Sequence, residues 1–294
     1  MQVLFHIGAH CTDEGQILAC LAKNRAMLAR QGIAVPPPNR FKPVLRDTLS
    51  VLKGEKANRD VEKIIFQSIL DDEQSAELPQ RLIFSNDAFL TGAQKVLGAS
   101  ALYPDAGVKC QKLFNLFHNH EVEFCLAIRN PATFLPALFH RIGANSFEAF
   151  IAQTDPMALT WSSVIARITE ALPDVTLKVW SNEDTPFIWP ELIHEIVDIN
   201  REVPIKGIDD YLATIMLKEG LERMESYLQT HPPANEIQRR RILSAFLDKF
   251  EIDDPTLEVE APIWTADYVE TLTEIYEEDL FAIEKIPGVQ FISP

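Results

Sequence analysis

The sequence is short of positive charge: 27 Lys and Arg stand against 43 Asp and Glu, a formal net charge of −16. Nucleic acid and anionic membrane surfaces are held by clustered Lys and Arg that neutralise phosphate, so neither is an expected partner. The one basic cluster, the run QRRRIL at 238–243, falls in a helical pattern and reads as a solvated face. Cysteine is scarce as well: the four, at 11, 20, 110 and 125, form no CxxC pair and no regular spacing, which argues against a zinc ribbon or a disulfide framework. No metal site is expected. No apolar run approaches the roughly 18 residues that a membrane span needs, and the run ahead of His6 is too short for a signal-peptide core. A cytoplasmic location is the resulting expectation. Neither GxxxxGK[ST] nor GxGxxG occurs, so kinase, GTPase and dinucleotide-dependent oxidoreductase readings have no support. Internal repeats and low-complexity tracts are missing too.

What is present is a globular chain of 294 residues, 47% hydrophobic, long enough to bury a full core. Short apolar runs rich in Val, Ile, Leu and Phe appear at 2–7 (QVLFHI), 81–85 (RLIFS), 122–128 (VEFCLAI) and 175–180 (VTLKVW). Each is followed by turn residues and then a helical period, the pattern of βαβ units around a parallel sheet. Val3 to Ile7 is apolar on both faces and is expected at the centre of that sheet. Helical patterns are expected over 15–32, ending at Gly32, over 104–120 with Val108, Leu113, Leu116 and Phe117 inward, and in two or three pieces over 131–172. The proline-rich 36–43 reads as a stiffened connection and 70–80 as an acidic loop. Beyond about residue 200 the strand signal disappears, and helical patterns follow near 209–228, 235–250 and 265–284. The last of these sets Trp264, Tyr268, Leu272, Ile275, Tyr276 and Leu280 on one apolar face.

In such a sheet, ligands sit beyond the carboxyl ends of the strands, where helix N-termini present backbone N–H groups. That rim carries Gly8 to Gly15, Ser85 to Asp87, and Arg129 onward. Here the residues carry a resemblance. HIGAHCTDEGQILACLAKNR (6–25) resembles the opening of bacterial sulfotransferase-like proteins, which commonly read HIGAHKTGTT or HIGAHRTGTT before a helix ending in Asn-Arg. LAIRNPATFLPALF (126–139) is similar to the family's second element, a strand ending in Arg with Ser eight positions on. LIFSNDAFL and ALPDVTLKVW are similar to the strands between and after, so the ordered set covers residues 1 to about 200.

The resemblance implies a three-layer α/β/α fold of the P-loop sulfotransferase-like kind over 1–200, with 201–294 as a C-terminal helical extension packed on it. It implies transfer of a sulfuryl group from 3′-phosphoadenosine 5′-phosphosulfate (PAPS) to a hydroxyl or amine of a small molecule or carbohydrate. The alternative is a catalytically inactive binding or scaffold protein on the same fold. Cofactor binding would fall to Gly8, Ala9, His10, Thr12, Gly15 and Arg129, with His10 as oxyanion donor and Asp87 as general base, the two candidate catalytic residues.

Several positions depart from the family pattern. Cys11 stands for the loop cation, Asp13, Glu14 and Gly15 for Gly-Thr-Thr, and Ala137 for the serine. Two acids at the start of a helix complement its dipole, and Thr12 is a candidate N-cap, so the loop is expected to keep its shape and to have lost or changed its anion. Cys11 reads as packing rather than as a nucleophile, because the neighbouring acids oppose its ionisation. His118 and His120, two apart, diverge on a helix and read as a solvated helix end.

Overall fold

The computed structural model describes residues 1–70, 78–98 and 100–294. Of the acidic loop expected over 70–80, residues 71–77 therefore lie outside the described residues. Six parallel strands build the main sheet: β1 (Gln2–His6), β2 (Ile33–Ala34), β3 (Arg81–Ser85), β6 (Glu121–Ile128), β7 (Leu177–Ser181) and β8 (Val289–Phe291), in the order β2-β3-β1-β6-β7-β8. Strands β4 (Leu97–Gly98) and β5 (Ala101–Leu102) form a separate antiparallel pair.

The helices in chain order are α1 (Gln16–Lys23), α2 (Arg25–Arg30), α3 (Pro38–Leu52), α4 (Arg59–Ile69), α5 (Ala106–Leu116), α6 (Pro131–Ile142), α7 (Phe147–Ile151) and α8 (Trp161–Ala171). They continue with α9 (Thr185–Val197), α10 (Leu212–Ile215), α11 (Lys218–Thr230), α12 (Glu236–Phe250) and α13 (Ala266–Ile283). Among the described residues no helix is long and apolar enough to cross a membrane.

β1 lies between β3 and β6, as its two-sided apolarity requires, with Leu4 in register with Ile83 and Glu123. The period of two sorts its side chains to opposite faces. Val3, Phe5 and Ile7 join a core with Phe84, Phe117, Phe124 and helices α3 to α6 and α8. Leu4 joins a second core with Ile17 and Leu21 of α1 and Trp189 and Leu192 of α9. Helices thus cover both faces of a parallel sheet, and the molecule is a three-layer α/β protein.

Several expectations need correction. The helix expected over 15–32 is broken in two, because the Asn24 side chain leaves the helical path to hold residue 206: its amide donates to the Cys20 and Lys206 carbonyls and its oxygen accepts from Lys206 N–H. The proline run is not a mere connection, since Pro38 is the first residue of α3, where a missing N–H costs nothing. Val108 is 57% exposed, and α5 instead buries Ala106, Cys110, Leu113 and Leu116. Arg239 and Arg240 do not form a solvated face: both donate to the Phe187 carbonyl and pair with Glu191, tying α12 to α9. The strand signal does not end at 200, because β8 pairs in parallel with β7 as the sheet's last strand. Its three residues are too few for a periodic pattern to register.

Within 201–294, Leu212, Met216, Met224, Leu243, Leu247 and Phe250 gather into a small core of their own. Helix α13 instead places Tyr276 and Ile283 in the main core. It also caps α8 through Asp279, whose carboxylate accepts from Trp161 and Ser162 N–H at 2.6 and 3.1 Å.

Candidate functional site

The loop from Ile7 to Gly15 leaves the carboxyl end of β1 and stays stitched to β6, with Ile7 and Ala9 N–H donating to the Cys125 and Ala127 carbonyls. At Gly8 (φ 111°) a Cβ would lie 3.2 Å from the Asp87 carbonyl oxygen, so both conformation and space call for glycine. Cys11 (φ 56°) and Glu14 (φ 46°) occupy the left-handed region without being glycine, each at a cost of about 1–2 kcal/mol. Thr12 does not cap the helix; its hydroxyl donates to the Ala9 carbonyl at 2.8 Å and closes the loop on itself. The cap is Asp13, 7% exposed, whose Oδ2 accepts the Ile17 N–H at 2.9 Å. The place where a helix N-terminus would receive an anion therefore holds the chain's own carboxylate.

The loop's missing cation comes from elsewhere. Arg141, near the end of α6, brings one guanidinium nitrogen within 3.4 Å of both Glu14 carboxylate oxygens, and its other donates to Asp87. Arg129, 12% exposed at the end of β6, donates to the Cys11 carbonyl at 2.6 Å and to the Thr133 hydroxyl at 3.0 Å, and lies 3.6 Å from the Asp254 carboxylate. The Trp161 indole N–H donates to the Arg129 carbonyl and fixes this corner. Both arginines that face the loop are thus already engaged by acids.

Two cavities flank the loop and share Cys11 to Glu14 and Arg141 as walls. The larger, about 820 Å³, lies between the loop, α6, the end of β7 and residues 251–257. The smaller, about 250 Å³, is bounded by the loop, the ends of β1 and β3 and the start of α3. Arg129, Thr133, Ala137 and Arg141 recur every four residues and line the larger one, a helical ridge that reveals Arg141 once Arg129 is recognised. Without that ridge the sequence reading missed Arg141.

The candidates group as follows. Ala9 and Thr12 border the smaller cavity, as do Gly15 and Asp87, while Thr12 and Arg129 border the larger. His10 lines neither: it is 2% exposed, its backbone N–H donates to the Tyr103 hydroxyl at 3.1 Å, and its Nδ1 shares a hydrogen bond of 2.8 Å with that hydroxyl. His6, unremarked in the sequence, lines the smaller cavity, with Nδ1 2.9 Å from the Ser85 hydroxyl and its ring stacked on Trp180. Burial holds both His6 and His10 below the usual imidazole range, against the pull of Asp87 on each. Burial likewise pushes the Cys11 thiol up to about 11, outweighing Arg141, so it is no thiolate nucleophile at neutral pH. Glu14 is raised by burial, and Arg141 opposes the shift.

No family model and no curated protein matches the chain. Among solved structures it is similar to a crystal structure of a sulfotransferase from Alicyclobacillus acidocaldarius, at 11% identity over 89% of this chain and 97% of that chain, with a TM-score of 0.39.

Proposed function

We propose that this chain is a sulfotransferase-like protein, on a fold built to move a sulfuryl group from PAPS to a hydroxyl or amine of a small molecule or carbohydrate held in the larger cavity, with a donor loop that in its present form holds PAPS only weakly. The observation that carries this reading is the meeting of the two elements that resemble the family's donor-binding elements: Arg129, at the end of β6, reaches the backbone of the β1 loop at Cys11. The 820 Å³ volume suits an acceptor of small-molecule size. Asp87, the candidate base for the acceptor's proton, borders the smaller cavity and not the larger, so an acceptor it serves reaches past Arg141, which walls both cavities and donates to that carboxylate.

Fit to the donor's anionic groups is poor as the loop stands. Asp13 takes the Ile17 N–H, and Glu14, Asp87 and Asp254 engage both arginines. That observation favours a second reading, in which the fold serves as a binding protein without transfer. Incubation with PAPS and a panel of hydroxyl- and amine-bearing acceptors, followed by release of 3′,5′-adenosine bisphosphate, separates the two. Acceptor-dependent release establishes the transferase; its absence across the panel leaves the binding protein.

A further inference from the structure

The connection between α12 and α13 forms one side of the larger cavity, which residues 251–257 all border. Its ends are fixed. Ile252 N–H donates to the Ile215 carbonyl at 2.9 Å, and Val259 and Ala261 pack on the main core. Between these anchors Asp253, Asp254 and Pro255 are exposed. Among the described residues two polar contacts tie the span to the elements across the cavity: His140 Nε2 donates to the Glu258 carbonyl at 3.0 Å, and the Asp254 carboxylate lies 3.6 Å from Arg129.

The two oxygens of Asp254 have different roles. Oδ1 accepts from the Thr256 N–H and hydroxyl at 2.9 and 2.6 Å and shapes the turn Pro255–Leu257, while Oδ2 faces Nη2 of Arg129. Arg129 already gives Nε to the Thr133 hydroxyl and Nη1 to the Cys11 carbonyl, so Nη2 is the guanidinium nitrogen that remains for an anion in the cavity. Asp254 stands where the carboxylate, sulfate or phosphate of a ligand would pair with it. A short span fixed at both ends and held across a cavity by one charge pair has two arrangements, closed on the arginine or swung away from it.

We propose that residues 253–258 form a strap latched shut by Asp254 on Arg129, and that the ligand of the larger cavity carries an anionic group that takes the place of Asp254 and releases the strap. The latch lowers the apparent affinity by the fraction of molecules that are open. The proposal deepens the transferase reading with a control on the same site, and it rests on that reading only for what the ligand is.

The test uses the full chain and Asp254→Asn, which keeps an oxygen for Thr256 but loses the charge that meets Arg129. The side chain is 41% exposed, so the core is untouched. Asp253→Asn, which removes the same charge one residue away, is the control. In limited proteolysis with a glutamate-specific protease, cleavage after Glu258 is expected to be about fivefold faster in Asp254→Asn, the size of effect that a partly exposed ion pair supplies, with cleavage after Glu225 on α11 unchanged. In calorimetric titration at constant ionic strength, inorganic pyrophosphate is expected to bind Asp254→Asn about fivefold more tightly than wild type, and adding Arg129→Gln should remove the gain. Asp253→Asn should change neither readout. Equal cleavage after Glu258, no gain in pyrophosphate affinity, a gain that survives Arg129→Gln, or the same effects in Asp253→Asn would each overturn the proposal. Both effects without acceptor-dependent release of 3′,5′-adenosine bisphosphate leave the strap standing and remove the transferase reading; such release with equal cleavage removes the strap alone.

Discussion

Replacing Asp13 by alanine tests whether the loop is closed by its own carboxylate. Asp13 is the side chain that accepts a hydrogen bond at the start of α1; Gly15, the residue at the cap itself, has no side chain to offer. Losing such a cap costs about 1 kcal/mol, and removing a negative charge from the positive end of the helix dipole costs about 0.3–1 kcal/mol more. The sum, about 1.5 kcal/mol, lowers the melting temperature by about 3–6 °C in a chain of this size. The variant also frees the Ile17 N–H for an external anion. If sulfate occupies it with a dissociation constant of about 10 mM, 100 mM sulfate returns about 1.4 kcal/mol. The assay is urea unfolding of wild type and Asp13→Ala, with and without sulfate, at matched ionic strength. Sulfate stabilises most proteins by exclusion from their surface, and that part cancels between the two chains. Equal stability of the two proteins, or equal response to sulfate, refutes the capping argument.

Three further outcomes are expected. Glu123 accepts from Arg81 at 2.9 Å and from Lys178 at 3.4 Å, all three side chains being buried or nearly so. Glu123→Gln, which leaves two cations short of a partner, should cost about 3 kcal/mol by urea unfolding, the lower end of the range because Glu195 still pairs with Lys178. A loss within experimental error would show that the network contributes nothing. Gly107 lies where a Cβ would press on the Arg167 carbonyl of α8, so Gly107→Ala should destabilise by about 2 kcal/mol through overpacking at the α5–α8 contact; a neutral result would mean that the two helices can part freely. His6 and His10 are held neutral by burial, so below their ordinary value of 6.5 the unfolded chain takes up protons that the folded chain resists. Stability is therefore fully present above that pH and falls as pH drops beneath it, and the fall should be shallower in His6→Gln when melting temperatures at pH 7.5 and 5.5 are compared.

The sheet was legible because its central strands are apolar on both faces. Val3 to Ile7 needs cover from two sides, and only a strand between layers of helices provides it. β8 was not legible, because three residues at an edge leave no period to read. At the site, the acids at 13 and 14 were visible as helix-starting residues, but which side chain caps was not. Asp13 and Thr12 are both capable, and the left-handed turns at Cys11 and Glu14 decide between them. The hold of Tyr103 on His10 spans 93 residues, and that of Arg141 on Asp87 spans 54. Neither leaves a local pattern, since each depends on how the elements pack. His6 was passed over because a polar residue ending a strand looks like any other; its place on the wall of the smaller cavity exists only in three dimensions.

The measurement that bears most directly on the account is a titration of wild type and of a loop-restored protein with 3′,5′-adenosine bisphosphate at low and moderate salt. The restored protein carries Cys11→Lys, Asp13→Gly, Glu14→Gly and Ala137→Ser. Gly15 is kept, since threonine at φ 82° would be strained, and glycine replaces Glu14 because φ 46° favours it. A carboxylate about 6 Å from a phosphate at an effective dielectric of about 20 opposes it by about 3 kcal/mol, roughly a hundredfold in affinity for each acid removed. The account predicts no saturable binding by wild type below about 1 mM and binding tightened by at least a hundredfold in the restored protein. Micromolar binding by wild type would contradict the claim that its anion site is filled from within.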